Sequence, residues 1–345
     1  MSEKSVESPI LIPEKPGIEH HTRAFWEQPP AAIGQYFNDL SESVRHPITG
    51  NELFQATWLL ETIADRVPDD DEQHFLAALG LRTVPTYAVQ LADIDDATGG
   101  ELTKYGWGGW MQRFTGQPWA DSAVGRHVTT LDMNLFHGPG FADMNADPNR
   151  RVVTHENIHA NGVMLFDFLN EGIAMALEFA HAQIKKPIEL SLNKPMNAHS
   201  LGLLTVCAIA KEHPDIFEQM FDTLRTPTLE TYTKLVSTLI DRFGIDNMVE
   251  MARVDTEIGF TDYPVFVKNI LPPDYLDDDV RLDGVLEAVL KPLRAYEQQT
   301  GYSFNIHTYY NTDPKQGTGS SPNQLLTDSD DPVLNALLKA VATMQ

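Results

Sequence analysis

Apolar residues recur at helical spacing through most of the second half of this chain and alternate in short runs through the first. Leu53, Trp58, Leu59 and Ile63 share one face and predict a helix over Glu52 to Arg66, with an earlier helix expected over Ala31 to Val44. From Arg82 to Asp93 the run through Val84, Tyr87, Val89 and Leu91 alternates like a strand. So does His127 to Phe136, which ends at the turn His137-Gly138-Pro139-Gly140. Gly99, Gly100, Gly106, Gly108 and Gly109 mark turns between short strands. Further on, helices are expected near 198–212, 214–225, 228–243, 245–254 and 281–298, punctuated by Pro214 and Gly244. The polar stretch 309–331 reads as a loop before a last helix from Pro332 to Ala342. The pattern divides the chain into a flexible leader at 1–20, a mixed helix and strand lobe at 21–140, a helical lobe at 141–300, and a loop with a terminal helix at 301–345.

Between the two halves stands His155-Glu156-Asn157-Ile158-His159. Asp143, Asn145, Asp147 and Pro148 lie ahead of it as helix-starting residues and predict a helix of about four turns around the motif. They fall short of a calcium loop, because Pro148 replaces the turn glycine. Positions four apart lie on one helix face, so His155 and His159 can grip one metal ion while Glu156 reaches a water beside it. The Asp167 to Asn170 segment reads as a turn, with Asn170 capping a second helix and Glu171 in that helix's first turn. A reversal between two antiparallel helices brings Glu171 back toward the histidines and completes a set of two imidazoles and one carboxylate. Asp167 is the competing third ligand. The same residues also fit a plain helix with solvated histidines, in which Glu171 merely favours a helix N-terminus through the dipole.

In His155, Glu156, His159, Asn170, Glu171, Gly172 and Ala174 the chain resembles the zincin metallopeptidases, and within them the gluzincin branch, whose second helix delivers the third ligand. The gap from His159 to Glu171 is shorter than in the better-known members. The resemblance implies an α+β, zincin-like fold with a mixed upper lobe, a small sheet, a mostly helical lower lobe and the active-site helix between them. It implies one zinc ion on His155, His159 and Glu171, with Glu156 as general base in the hydrolysis of a peptide or protein substrate. The strand at 127–136 would lie on the edge of the upper sheet and pair with an extended substrate, or serve as a plain strand. His199, His181 and several tyrosines are candidates for stabilising the oxyanion, and Glu178, two turns after Glu171, is a candidate to hydrogen-bond a ligand histidine. The metzincin pattern fits Gly162 but puts Leu165 where a third histidine belongs, despite Met196 further on. Peptide deformylases need a cysteine ahead of the motif, and Cys207 is the only cysteine. A zincin-like protein that binds zinc and a partner without catalysis is the alternative from another class.

Composition narrows the partners. The 345 residues carry a net charge of -24 with a pI near 4.7, which leaves no basic stripe for nucleic acid or an anionic membrane surface. No run of apolar residues is long enough to span a bilayer, and the start lacks an apolar leader segment. A single cysteine forbids an intrachain disulfide, so a cytoplasmic protein is expected.

Overall fold

Every residue from Leu201 to Ala210 is buried, so the helix that carries them is surrounded by other elements. The computed structural model that shows this describes residues 18–45, 64–66, 70–83, 86–89, 109–112, 128–132, 151–182, 198–254 and 282–304. After a 3-10 turn at Ile18–His21, its helices are α1 (Arg23–Trp26), α2 (Pro30–Arg45), α3 (Asp70–Ala78), α4 (Arg151–His159), α5 (Asp167–Ala182), α6 (Ala198–Glu212), α7 (Pro214–Arg225), α8 (Leu229–Phe243), α9 (Ile245–Val254) and α10 (Asp283–Thr300). The central α6 packs on α5, α7 and α10.

The deepest contact is between α5 and α6, and glycine makes it possible. A Cβ on Gly202 would run into the Phe168 carbonyl, and one on Gly172 would run into the Gly202 backbone. Neither position tolerates a side chain without the helices moving apart. Around this crossing the other helices bury one stripe each. On α7, which opens with Pro214, the buried residues Ile216, Phe217, Met220, Phe221 and Leu224 repeat at helical spacing. Each such side chain contributes about 1.5–3 kcal/mol when fully buried. Helix α8 starts at a reciprocal cap between Thr228 and Thr231 and stops at Gly244, whose φ of 82° suits a residue without Cβ. Its buried face, Tyr232, Leu235, Val236 and Leu239, lies against α2. There Phe37 stacks on Tyr232, and Trp26 on Phe37.

Four short strands, β1 (Ala64–Arg66), β2 (Thr86–Val89), β3 (Gly109–Gln112) and β4 (Val128–Asp132), pair in the order β1-β2-β4-β3. β2 runs parallel to β4 with Thr86 opposite Thr129, and the two outer pairs are antiparallel. These strands do not make the molecule α+β. Of the residues whose side chains are described, 81% are helical and none lies in a strand. The core residues among them, from Phe25 to Leu293, sit on helices or on turns beside them. The α+β expectation with a small sheet is therefore corrected to a helical fold. The physical reason is capacity: a strand of three to five residues turns only one to three side chains to a face, whereas α6 alone buries whole turns on all sides.

Other expectations change as well. The strand within 127–136 spans Val128–Asp132 and is paired on both sides, so it offers no open edge to a substrate. The helix expected over 52–66 ends instead in β1 at Ala64–Arg66, and the rest of that range lies outside the described residues. No element was expected over 70–78, where α3 opens on acidic residues and buries Phe75 and Leu76, with Leu79 buried just past its end. Helix α2 packs on α8 and α1 on α9, so segments from either side of residue 140 meet. Within the supposed leader His20 is 1% exposed and meets Phe25 and Phe37 edge-on. The calcium-loop residues, Met196 and the last helix lie outside the described residues.

Candidate metal centre

The motif helix α4, described from Arg151, ends at His159. Ala160 and Asn161 close its last turn on Glu156 and Ile158. The Arg82 guanidinium donates to the Ala160 carbonyl at 2.6 Å, a cation placed where the helix dipole is negative. Asn161 accepts from the Arg82 backbone N–H and donates to its carbonyl, which locks this helix end to the segment before β2. Asn157 donates to the Val153 carbonyl and Asn161 to that of Asn157, each one turn back. The connection to α5 is short and buried. Tyr232 donates its hydroxyl to the Val163 carbonyl at 2.7 Å, and Phe166 packs on Trp26. Leu165, where a metzincin would need histidine, is a core residue.

Helix α5 begins at Asp167 rather than at Asn170, which puts Glu171 in its second turn. From there the carboxylate reaches both imidazoles: Glu171 Oε2 lies 3.2 Å from His155 Nε2, and Oε1 lies 3.5 Å from His159 Nε2. The two Nε2 atoms are 3.1 Å apart. Four donors placed about 2.0–2.1 Å from one zinc ion in a tetrahedron stand about 3.3–3.4 Å from one another. The observed separations are close to that length, the two carboxylate oxygens each facing one imidazole. Among the described residues, His155, His159 and Glu171 are the group that could hold a metal ion. Asp167 is exposed at the start of α5 and is not part of it.

The other ring nitrogens are also engaged. Glu178 Oε2 sits 3.1 Å from His155 Nδ1, so this carboxylate accepts a hydrogen bond from Nδ1–H, and in the neutral ring the lone pair is on Nε2. His159 Nδ1 has the Asn170 amide nitrogen 3.0 Å away, and the amide oxygen is buried with no partner among the described residues. Turning the amide over presents its oxygen to an Nδ1 proton and frees His159 Nε2 as a metal ligand. Asn170 thus orients a histidine instead of capping a helix. Sequence spacing carried no sign of this role, which depends on α5 starting three residues earlier.

Burial acts on both imidazoles by disfavouring their charged forms, yet carboxylates outweigh it. His155 is held well above the usual 6.5 by hydrogen bonds to Glu171 and Glu178 and by the charge of Glu156. His159 is raised less, through the charge and hydrogen bond of Glu171, opposed by His155. Glu156 is 8% exposed and close enough for its charge to act on both rings. Three carboxylates around two imidazoles thus form a site with excess negative charge, suited to a divalent cation.

The two histidines among the oxyanion candidates are placed differently. His181 is 8% exposed, with Nδ1 2.9 Å from Thr154 Oγ1 and its ring stacked on Phe75 at 4.3 Å, so it is committed to packing between helices. His199 falls in the first turn of α6, and its side chain lies outside the described residues. No family model matches this chain, and comparisons with curated proteins and with solved structures return no match. Among the described residues, no helix is long and apolar enough to cross a membrane.

Proposed function

We propose that the chain is a zinc-dependent hydrolase, most simply a peptidase, with His155, His159 and Glu171 holding one zinc ion. The observation that carries the reading is the triangle of His155 Nε2, His159 Nε2 and Glu171 carboxylate oxygens at 3.1–3.5 Å, with Glu156 beside it. Two imidazoles and a carboxylate suit zinc among the common divalent ions and leave a fourth position open. A zinc ion there supplies Lewis acidity, polarising a carbonyl and making a water acidic near neutral pH. Glu156 accepts the proton of that water and returns it to the departing amine. Glu178 and Asn170 hold the two ligand imidazoles in the tautomers that keep both Nε2 lone pairs free. A peptide or exposed protein segment is the substrate in this proposal. A cytoplasmic location belongs to it too, supported by Cys207, which is buried in α6 as a free thiol.

The test separates metal from chemistry. Chain purified without chelators is expected to carry close to one zinc, Glu171→Ala close to none, and Glu156→Gln the native amount with hydrolysis of a mixed peptide library cut by about a thousandfold or more. A native chain that takes up no zinc when offered it ends the proposal. Full zinc with equal cleavage by Glu156→Gln removes its catalytic half and favours a binding protein.

A further inference from the structure

Helix α5 reads helix α4 in reverse order. Asn170 meets His159, Glu171 meets His159 and His155, Glu178 meets His155, and one step further His181 meets Thr154. The first three contacts belong to the metal site. The fourth does not, although Thr154 directly precedes His155.

This last contact is costly for its position. Thr154 is fully buried, His181 is 8% exposed, and Phe75 of α3 covers the imidazole face at an interplanar angle of 15°. Two apolar side chains of similar size would fill such a place without a directional requirement. The far end of α4 is held by Arg82, which bonds Ala160 and Asn161. Among its described side chains only Val153 and Ile158 are apolar, both wholly buried, and these two contacts carry no direction of their own, so polar contacts such as Thr154–His181 set the rotation of the helix. A side-chain tip stands about 5–6 Å from a helix axis, so a roll of about 10° moves it by about 1 Å. Metal ligands tolerate about 0.2 Å.

We infer that the Thr154–His181 pair is a positioning device that sets the rotation of α4 so that His155 and His159 present both Nε2 atoms to one metal ion. The inference rests on the metal-site reading proposed above. His181 is accordingly a positioning residue rather than an oxyanion donor. α3 takes part as well, since Phe75 holds the imidazole in place.

The test uses cobalt(II) as probe with the full chain, reading its dissociation constant and visible ligand-field spectrum, and the melting temperature of each metal-free variant. Thr154→Val removes the hydroxyl at constant volume, and His181→Phe keeps an aromatic ring for Phe75 while removing the nitrogen. Each is expected to weaken cobalt binding about tenfold and to change the spectrum, whereas Thr154→Ser, which keeps the hydroxyl, binds as the native chain does. Unchanged affinity and spectrum in both variants overturn the inference, and a lowered melting temperature with unchanged cobalt binding does so too, by showing a purely structural pair. If Thr154→Val does not fold, His181→Phe and Thr154→Ser still decide. A native chain that binds no cobalt overturns the metal site itself and this inference with it.

Discussion

The two faces of α5 are built on opposite principles. Toward α6 it offers Gly172, where the helices meet backbone to backbone, and its apolar residues Phe168, Ile173, Ala176, Leu177 and Ala180 are wholly buried. Toward α4 it offers Asn170, Glu171, Glu178 and His181, each bound to a particular atom. The first face works by area and close approach, which have no preferred direction and supply stability. The second supplies placement, because a hydrogen bond fails when its partner turns away. A metal centre needs both: α6 fixes where α5 lies, and α5 then fixes how α4 presents its histidines.

The sharpest way to break this contrast is to disturb the apolar face. Gly202→Ala puts a methyl group into the Phe168 carbonyl, so a loss of about 3 kcal/mol or more is expected in denaturant unfolding of the metal-free chain. Stability within about 0.5 kcal/mol of native would show that the crossing is not tight. The polar face should answer in another currency. Asn170→Ala is expected to weaken zinc binding about 10–100-fold while moving the metal-free unfolding midpoint little, measured by competition with a chelating dye. An equal loss of stability and no loss of zinc would reverse the roles given to the two faces.

The smallest expected effect is a dependence on pH. Without metal, His155 and His159 are held above their usual 6.5 by the carboxylates. A raised folded pKa means that their contribution to stability is present in full below about pH 6.5 and is lost as pH rises through the raised folded values. Zinc uptake runs the other way, strengthening across the same interval as the ligands lose protons. Melting temperatures of chelated native chain and Glu171→Gln, followed over pH, should converge toward alkaline conditions. A constant gap between them would remove the carboxylate-imidazole coupling from the account.

Much of the site was legible because its chemistry is local. His155, Glu156 and His159 lie within one stretch of helix, and Glu171 follows after a turn too short to carry it far. Glu178 could be named as a partner because it shares a face with Glu171 two turns on. Thr154 with His181, and Arg82 with Ala160 and Asn161, gave no such sign, since no pattern along the chain links residues 27, 78 or 79 positions apart. The helical second half was readable from spacing, and α7, α8 and α9 begin within a residue or two of where their turn signals placed them.

The sequence by itself determined the candidate ligand types, their order and the helices that carry them, because side-chain chemistry and helical periodicity are properties of neighbours along the chain. Only the tertiary structure decided that the body is helical, that α2 closes on α8, that β4 has no free edge, and that Asn170 faces a histidine. Those outcomes depend on which surfaces meet and how closely, and a glycine at 202 shows its meaning only when Phe168 lies across from it.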